Sequence, residues 1–375
     1  MILRLDYSLI INDNNMDFIN AFYNSKLDRN NFFSRIDSLL SSETLFVYAI
    51  PFACEYDFLQ LVNNVKSKSL KLIKSADGIH LFSLKHIVKK KNESIEGKFF
   101  LYELQDQVNC KFAITMENNQ FFHRVLKPFI DSLKPHVITT FITHSKLKEL
   151  LINFQSVNKF TDLRILRASQ KIRFIEPNNT QKIVSEISWP SMSLEEAFNW
   201  VAEKNGWFKS LQFEALYGNR VFADVYLTRQ GILKTNQGFT NITEAFLKPI
   251  TKLLYENIQQ FKNRGRKERQ DLTVRPIMID FGKEQFDSIE ENQKFIFAIK
   301  QFCNSSVSVL HGNPYVHISI MDYIDGSSFD VMISNSDRLM IIPQLKASAF
   351  SIKRLVNHIF DFYAEGKIRD YIRNT

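Results

Sequence analysis

The chain has 375 residues and a mass of 43.9 kDa, with 45% hydrophobic and 23% charged residues, enough material for one large or two ordinary globular domains. No apolar run approaches the roughly eighteen residues of a membrane-spanning helix, and the opening MILRLDYSLIINDNNMDFIN carries acids and asparagines where an export signal carries an apolar block, so a cytoplasmic protein without membrane insertion is expected. Cys54, Cys110 and Cys303 lie far apart with no CxxC and no metal-ligand spacing, which suits a reducing cytosol, and no cofactor is expected.

The net charge of +8 is unevenly placed. Residues 61–175 hold 20 Lys+Arg against 9 Asp+Glu, and the rest of the chain holds 28 against 31. A regional surplus of cations points to a polyanionic partner, although a Lys-rich surface beside abundant Asn, Ile and Phe also has a plain compositional explanation.

In chain order, Leu3 to Ile11 is predicted as a strand and the residues to Ser42 as polar helical material. ETLFVYAIP, Glu43 to Pro51, reads as a buried strand. Asp57 to Lys66 places Phe58, Leu61, Val62 and Val65 at helical spacing. Leu70–Ile73 and Ile79–Leu84 flank the Asp77-Gly78 turn signal as short strands. A loop with Lys89, Lys90 and Lys91 precedes a hairpin of Phe99–Leu104 and Cys110–Met116, then a helix from Phe121 to Leu133, a strand from Val137 to Ile142 and a helix from Ser145 to Phe154. Leu163 to Ile175 is predicted as a basic hairpin, and residues 177–190, with Pro177, Asn178, Asn179 and Pro190, as a linker.

Beyond it, Ser193 and Glu196 form a capping box that opens a helix, which Gly206 should close. A hairpin turns at Tyr217-Gly218-Asn219-Arg220, a strand or loop covers Ile232 to Phe239, and a helix runs from Thr243 to Phe261. VLKPFIDSL (Val125 to Leu133) and FLKPITKLL (Phe246 to Leu254) share Leu-Lys-Pro, and each follows a hairpin. A third hairpin-then-helix unit runs from Tyr315 to Glu365, so one supersecondary element is used repeatedly. Within it Val316, Ile318 and Ile320 alternate with polar residues, Asp325-Gly326 supplies a tight turn, and Ile352, Leu355, Ile359 and Phe362 stripe a helix.

These elements predict an α+β protein of two lobes, each mostly antiparallel sheet with packed helices, divided as 1–176, the linker 177–190, and 191–375.

The C-terminal block resembles the APAZ domain that accompanies short prokaryotic Argonautes. The resemblance rests on His311-Gly312-Asn313-Pro314-Tyr315 with His317, then Asp322-Tyr323, Asp325-Gly326-Ser327-Ser328-Phe329-Asp330, Ile342-Pro343-Gln344 and the helix ending at Glu365-Gly366. It is good over these sixty or so residues and weaker over Trp207 to Arg275. It implies a fold like the N-terminal lobe of long Argonautes (N, linker 1 and linker 2). It also implies a short Argonaute (MID–PIWI) partner, a bound guide and target nucleic acid, and relay of recognition to a defence effector against viruses or plasmids. No TIR-like, sirtuin-like, HNH or HxK effector motif is present, so the effector would be a separate protein or lie in the first hundred residues.

For nucleic-acid contact the candidates are Arg164, Arg167, Lys171 and Arg173 on the basic hairpin and Arg264, Arg266, Lys267 and Arg269 in FKNRGRKERQ. Lys and Arg hold a duplex through its phosphates with little reading of bases. His311 and His317 lack a third ligand at usual spacing, so no metal site is expected. Asp322, Asp325 and Asp330 cluster at a turn, where acids usually cap. Asp77 with Glu96-Gly97-Lys98 loosely fits the D…ExK pattern of a magnesium-dependent nuclease. A P-loop and a GxSxG elbow are absent. The expectation is a non-catalytic APAZ-like subunit, with a D…ExK nuclease or a stand-alone nucleic-acid-binding scaffold as the alternatives.

Overall fold

The computed structural model of the chain describes residues 13–42, 45–64, 70–88, 93–107, 109–172, 184–203, 206–265 and 275–371. The predicted strand over Leu3 to Ile11 lies outside them. The chain is α+β and forms two compact units.

The first unit holds the residues up to Gln170 together with Val184–Leu254. Its strands are β1 (Val47–Cys54), β2 (Leu70–Ala76), β3 (Ile79–Val88), β4 (Glu93–Glu103), β5 (Cys110–Thr115), β6 (Val137–Thr139), β7 (Asp162–Ile172), β8 (Val184–Met192), β9 (Gly206–Tyr217), β10 (Arg220–Thr228) and β11 (Leu233–Thr235). Among the described residues they form one sheet in the order β2-β3-β4-β5-β1-β11-β10-β9-β7-β8, with β6 also paired to β1.

The strand β1 is the axis of this sheet. All eight of its residues are buried, as a short continuous apolar run predicts for a strand covered on both faces. It runs antiparallel to β5 on one side and to β11 on the other. Pro51 falls between the residues paired to β11 (Val47–Ala49) and those paired to β6 (Phe52–Cys54), a position where a residue without an N–H is tolerated.

Each flanking strand ends in a buried threonine whose hydroxyl accepts from the amide two residues on, Thr115 from Glu117 at 3.1 Å and Thr235 from Gln237 at 3.4 Å. A helix with the Leu-Lys-Pro string follows each. The first runs through Asn119–Phe121, Phe122–Leu126 and Lys127–Ser132, and the second through Phe239–Ile242, Thr243–Leu247 and Lys248–Phe261.

In both helices the middle segment is one wide π-turn. The Lys127 N–H donates to Phe122 O and the Lys248 N–H to Thr243 O, five residues back. The cause is the proline that follows each lysine: its ring would strike the carbonyl four residues earlier, and widening the turn removes the clash. The two helices cover opposite faces of β1. Phe121, Phe122, Val125 and Leu126 pack with Tyr48, Ile50 and Phe52, whereas Phe239, Ile242, Phe246 and Leu247 pack with Val47 and Ala49. The shared Leu-Lys-Pro string therefore belongs to a shared local structure, repeated about a common strand.

The second unit holds Lys171, Ile172 and the described residues from Tyr255 onward. Its strands are β12 (Ile277–Asp280), β13 (Ser305–His311), β14 (His317–Asp322), β15 (Ser327–Asn335), β16 (Arg338–Pro343) and β17 (Lys367–Asp370), in the sheet order β13-β14-β15-β16-β12-β17. Ile318, Ile320, Phe329, Val331, Leu339 and Ile341 are buried on one face, with Ile352, Leu355 and Ile359 of the helix Ala349–Phe362 also buried. The helix Ile289–Lys300 is capped by Ser288, whose hydroxyl accepts from the Glu291 N–H.

Several sequence expectations need correction. The units do not divide at 177–190: residues 184–190 lie in β8, residues 177–183 lie outside the described residues, and 191–254 belong with the first unit. Leu163 to Ile175 is no hairpin, because Asp162–Ile172 is one unbroken strand. Its burial shifts phase, with Leu163 and Ile165 buried and then Ala168 and Gln170, and that broken alternation imitates a turn. Gly206 opens β9 instead of closing the preceding helix. The capping box is as expected: Glu196 accepts from the Ser193 N–H at 2.9 Å and Ser193 Oγ accepts from the Glu196 N–H at 3.3 Å.

Candidate nucleic-acid interface

The eight predicted basic contacts divide into three groups. Arg173, Arg266, Lys267 and Arg269 lie outside the described residues. Arg164 and Arg167 are on β7: Arg167 is exposed, and Arg164 is half-buried with NH1 3.7 Å from Glu214 of β9.

Lys171 and Arg264 are engaged within the second unit. The Lys171 ammonium donates to Asp361 O at 2.5 Å and lies 3.8 Å from the centre of the Phe362 ring. Arg264, with its side chain nearly enclosed, donates to Gln260 O at 2.6 Å, to Pro276 O at 3.2 Å and to the Asp370 carboxylate. Both were expected to face a duplex. In this structure each ties chain segments together, its long cationic side chain supplying several donors to carbonyl and carboxylate oxygens.

The motif residues of the C-terminal block form a structural lock. Asp322 is fully buried at the end of β14. One oxygen accepts from Ser351 Oγ at 2.6 Å and from Arg354 at 2.6 and 3.2 Å, and the other from the Ile324 N–H at 2.9 Å. Asp325 accepts from the Ser327 N–H at 2.9 Å and from Ser348 Oγ at 2.5 Å. Although burial opposes it, the Ser348 and Ser327 hydrogen bonds and Arg354 hold its carboxyl below the usual range. Gly326 takes a positive φ of +73°, which only glycine adopts without cost.

Ser348 caps the C-terminal helix, accepting from the Ser351 N–H at 3.0 Å and donating its own N–H to Ser327 Oγ at 3.0 Å. The DYxDGSS turn is thus a receptor for the start of that helix. Arg354, which completes it, was missed in the sequence because nothing local marks a helical arginine as the partner of an acid thirty residues away.

His311 and His317 are opposite each other on β13 and β14. His317 Nε2 is 3.8 Å from Asp330, and Asp330 also accepts from Gln344 at 2.7 Å. Tyr315 is 74% exposed in the connection that contains Asn313. Among the described residues no group of three His, Cys, Asp or Glu side chains is placed to hold a metal ion.

The D…ExK pattern does not assemble. Asp77 lies in the β2–β3 turn beside Glu103, whose N–H donates to Gly78 O at 2.9 Å. Glu96 is farther back along β4, opposite Lys85. From Glu96 to Glu103 the strand rises about 23 Å, whereas two carboxylates on one magnesium ion lie about 4 Å apart. Lys98 is inside β4. The acid that Asp77 neighbours is engaged: His80, with Nε2 3.8 Å away, and Lys111 hold the Glu103 carboxyl down to about 2.

A different constellation emerges on the first unit. Gln212, Tyr226, Lys234 and Tyr48 are register partners across β9, β10, β11 and β1, so they line one face. Over Tyr48 that face is covered by the first Lys-Pro helix: Phe122 stacks on the Tyr48 ring at 4.5 Å. Beyond it the side chains of Lys234, Tyr226, Asp224, Gln212, Glu214 and Arg164 are only half-buried. The helix edge makes a step, with His123 and Arg124 exposed and Lys127 half-exposed.

Lys234 sits at the foot of that step, its Nζ 3.9 Å from the centre of the Phe46 ring and 5.5 Å from that of Tyr48. Burial lowers the Lys234 pKa, and burial followed by the charges of Lys127 and Lys234 lowers that of His123. Asp224 shares this floor, and both its oxygens accept from the Gln212 amide at 3.0 Å. No local signal marks this cluster, because Lys234, Lys127 and His123 come from segments that only the sheet order brings together.

No protein-family model and no curated protein matches the chain. Among the described residues no helix is long and apolar enough to cross a membrane.

Proposed function

We propose that the chain is a non-catalytic, APAZ-like subunit that pairs with a short Argonaute (MID–PIWI) protein, helps hold a guide–target duplex and relays its recognition to a separate effector. The observation that carries this reading is the block from His311 to Gly366, whose resemblance to the APAZ domain spans the hairpin, the acidic turn and the helix as one continuous module. The surplus of cations over residues 61–175 supports the nucleic-acid part, with Arg164 and Arg167 as the described candidates from β7. The cytosol is the compartment in which such a pair would act.

The test is affinity purification of the tagged chain from cells that also express a MID–PIWI protein, followed by extraction and sequencing of bound nucleic acid. The expected result is a stoichiometric complex carrying short guide strands. A chain that elutes alone as a stable monomer and gains no affinity for guide-loaded short Argonaute overturns the reading.

A further inference from the structure

The step on the first unit has the chemistry of a site for an unpaired strand. Cations and aromatic rings alternate across it. Lys234 lies between Phe46, 36% exposed, and Tyr48, with Tyr226 as its neighbour on β10. His123 and Lys127 look onto it from the wide turn of the first Lys-Pro helix. The Tyr48, Phe122 and His123 rings follow one another at 4.5 and 5.0 Å, which fixes the height of the step.

Lys127 and Lys234 lie close enough to His123 that their charges, after burial, lower its pKa, and a phosphate bound among the three groups would offset that repulsion. Asp224 is the acid that favours the charged form of Lys234. Its two oxygens are occupied by Gln212, and its backbone N–H donates to Asn236 at 2.9 Å. Glu214, the other acid on the floor, faces Arg164 at 3.7 Å.

A duplex presents only its phosphates to a protein surface of this kind, and exposed rings add nothing to its capture. An unpaired strand presents phosphates and base faces together, and rings interleaved with cations match that pattern. We propose that this step binds an unpaired nucleic-acid strand, with Lys234, Lys127 and His123 contacting its phosphates and Phe46 and Tyr226 stacking on its bases.

The site rests on the nucleic-acid part of the reading above and not on its Argonaute part. A chain that binds single strands but joins no Argonaute overturns only the pairing. An intact Argonaute complex without single-strand binding at this step overturns only the site.

The experiment is fluorescence anisotropy of the full chain with a labelled 12-nucleotide oligomer, as RNA and as DNA, each single-stranded and as a duplex, over a range of salt concentrations. Single strands of either sugar are expected to bind at least tenfold more tightly than the duplex. Lys127→Gln and Lys234→Met should each flatten the dependence of log K on log salt by about 0.7. Phe46→Ala should weaken binding by about fivefold to a hundredfold with the salt slope unchanged. Lys127→Gln changes a half-exposed side chain, which keeps the test independent of any folding defect at Lys234. Equal affinity for duplex and single strand, no binding of single strands, or variants with wild-type affinity and slope overturn the proposal.

Discussion

The guanidinium of Arg354, in the first turns of the C-terminal helix, donates to the buried carboxylate of Asp322 at the end of β14 at 2.6 and 3.2 Å. It also lies 3.3 Å from Asp325. One cation thus joins both acids of the DYxDGSS turn to the helix that follows two strands later, and the motif is primarily a means of fixing that helix.

Removing one partner of this pair should cost far more than removing both. Arg354→Met leaves a buried carboxylate without its cation and should lower unfolding free energy by roughly 3–5 kcal/mol in urea titrations. The double variant Asp322→Asn, Arg354→Met should recover part of that loss, because the coupling energy between contacting charges is counted once. Additive losses would show that the two residues act independently.

Lys353, the neighbour of Arg354, gives the opposite outcome. It is 3% exposed, and burial alone pulls its pKa from 10.5 to about 8. Between about pH 8 and 10.5 the unfolded chain binds more protons than the folded one, so this residue makes stability rise with pH over that window. Below pH 8 both states are protonated and the full penalty remains. The drop corresponds to roughly 3 kcal/mol. Lys353→Met should therefore raise the melting temperature at pH 7, and its advantage should shrink to nothing as the pH approaches 10.5. A variant with the same advantage at both pH values would show that burial of the charge is not the cause.

The first Lys-Pro helix approaches the sheet closely at Gly97 of β4. A Cβ added there would lie 2.6–2.8 Å from three ring atoms of Phe121, which is itself buried. Gly97→Ala should destabilise the chain by about 1–3 kcal/mol through overpacking. Combining it with Phe121→Leu should cost less than the sum of the two single changes, measured by denaturant titration. Because Phe122 next to it stacks on Tyr48, the Gly97→Ala variant should also loosen the step above Lys234, read as increased fluorescence-quencher access to a tryptophan introduced at His123.

Local patterns in the chain were sufficient for most elements. Alternation over Val316 to Ile320, the Asp325-Gly326 turn and the capping box at Ser193 each depend on neighbours a few residues apart, and each is found as read. The Leu-Lys-Pro repeat was also visible, and proline chemistry explains why both copies widen the helix in the same way. Sequence and structure differ where a local signal is ambiguous. Leu163 to Ile175 reads as a hairpin although Asp162–Ile172 is one strand, and Pro and Asn over 177–190 read as a boundary although β8 holds residues 184–190.

Composition, periodicity and turn chemistry by themselves determined the α+β class, the sequence positions of most hairpins and helices, and the cation surplus, because all of these act over a few residues or need no geometry at all. The tertiary structure alone decided that β1 is the axis with a Lys-Pro helix on each face, that Arg264 and Lys171 serve the interior of the second unit, and that Asp77 and Glu96 stand too far apart to share an ion. Strand order and the choice of face are set by contacts between residues far apart in the chain, and a side chain's role follows from which distant groups its charge must satisfy.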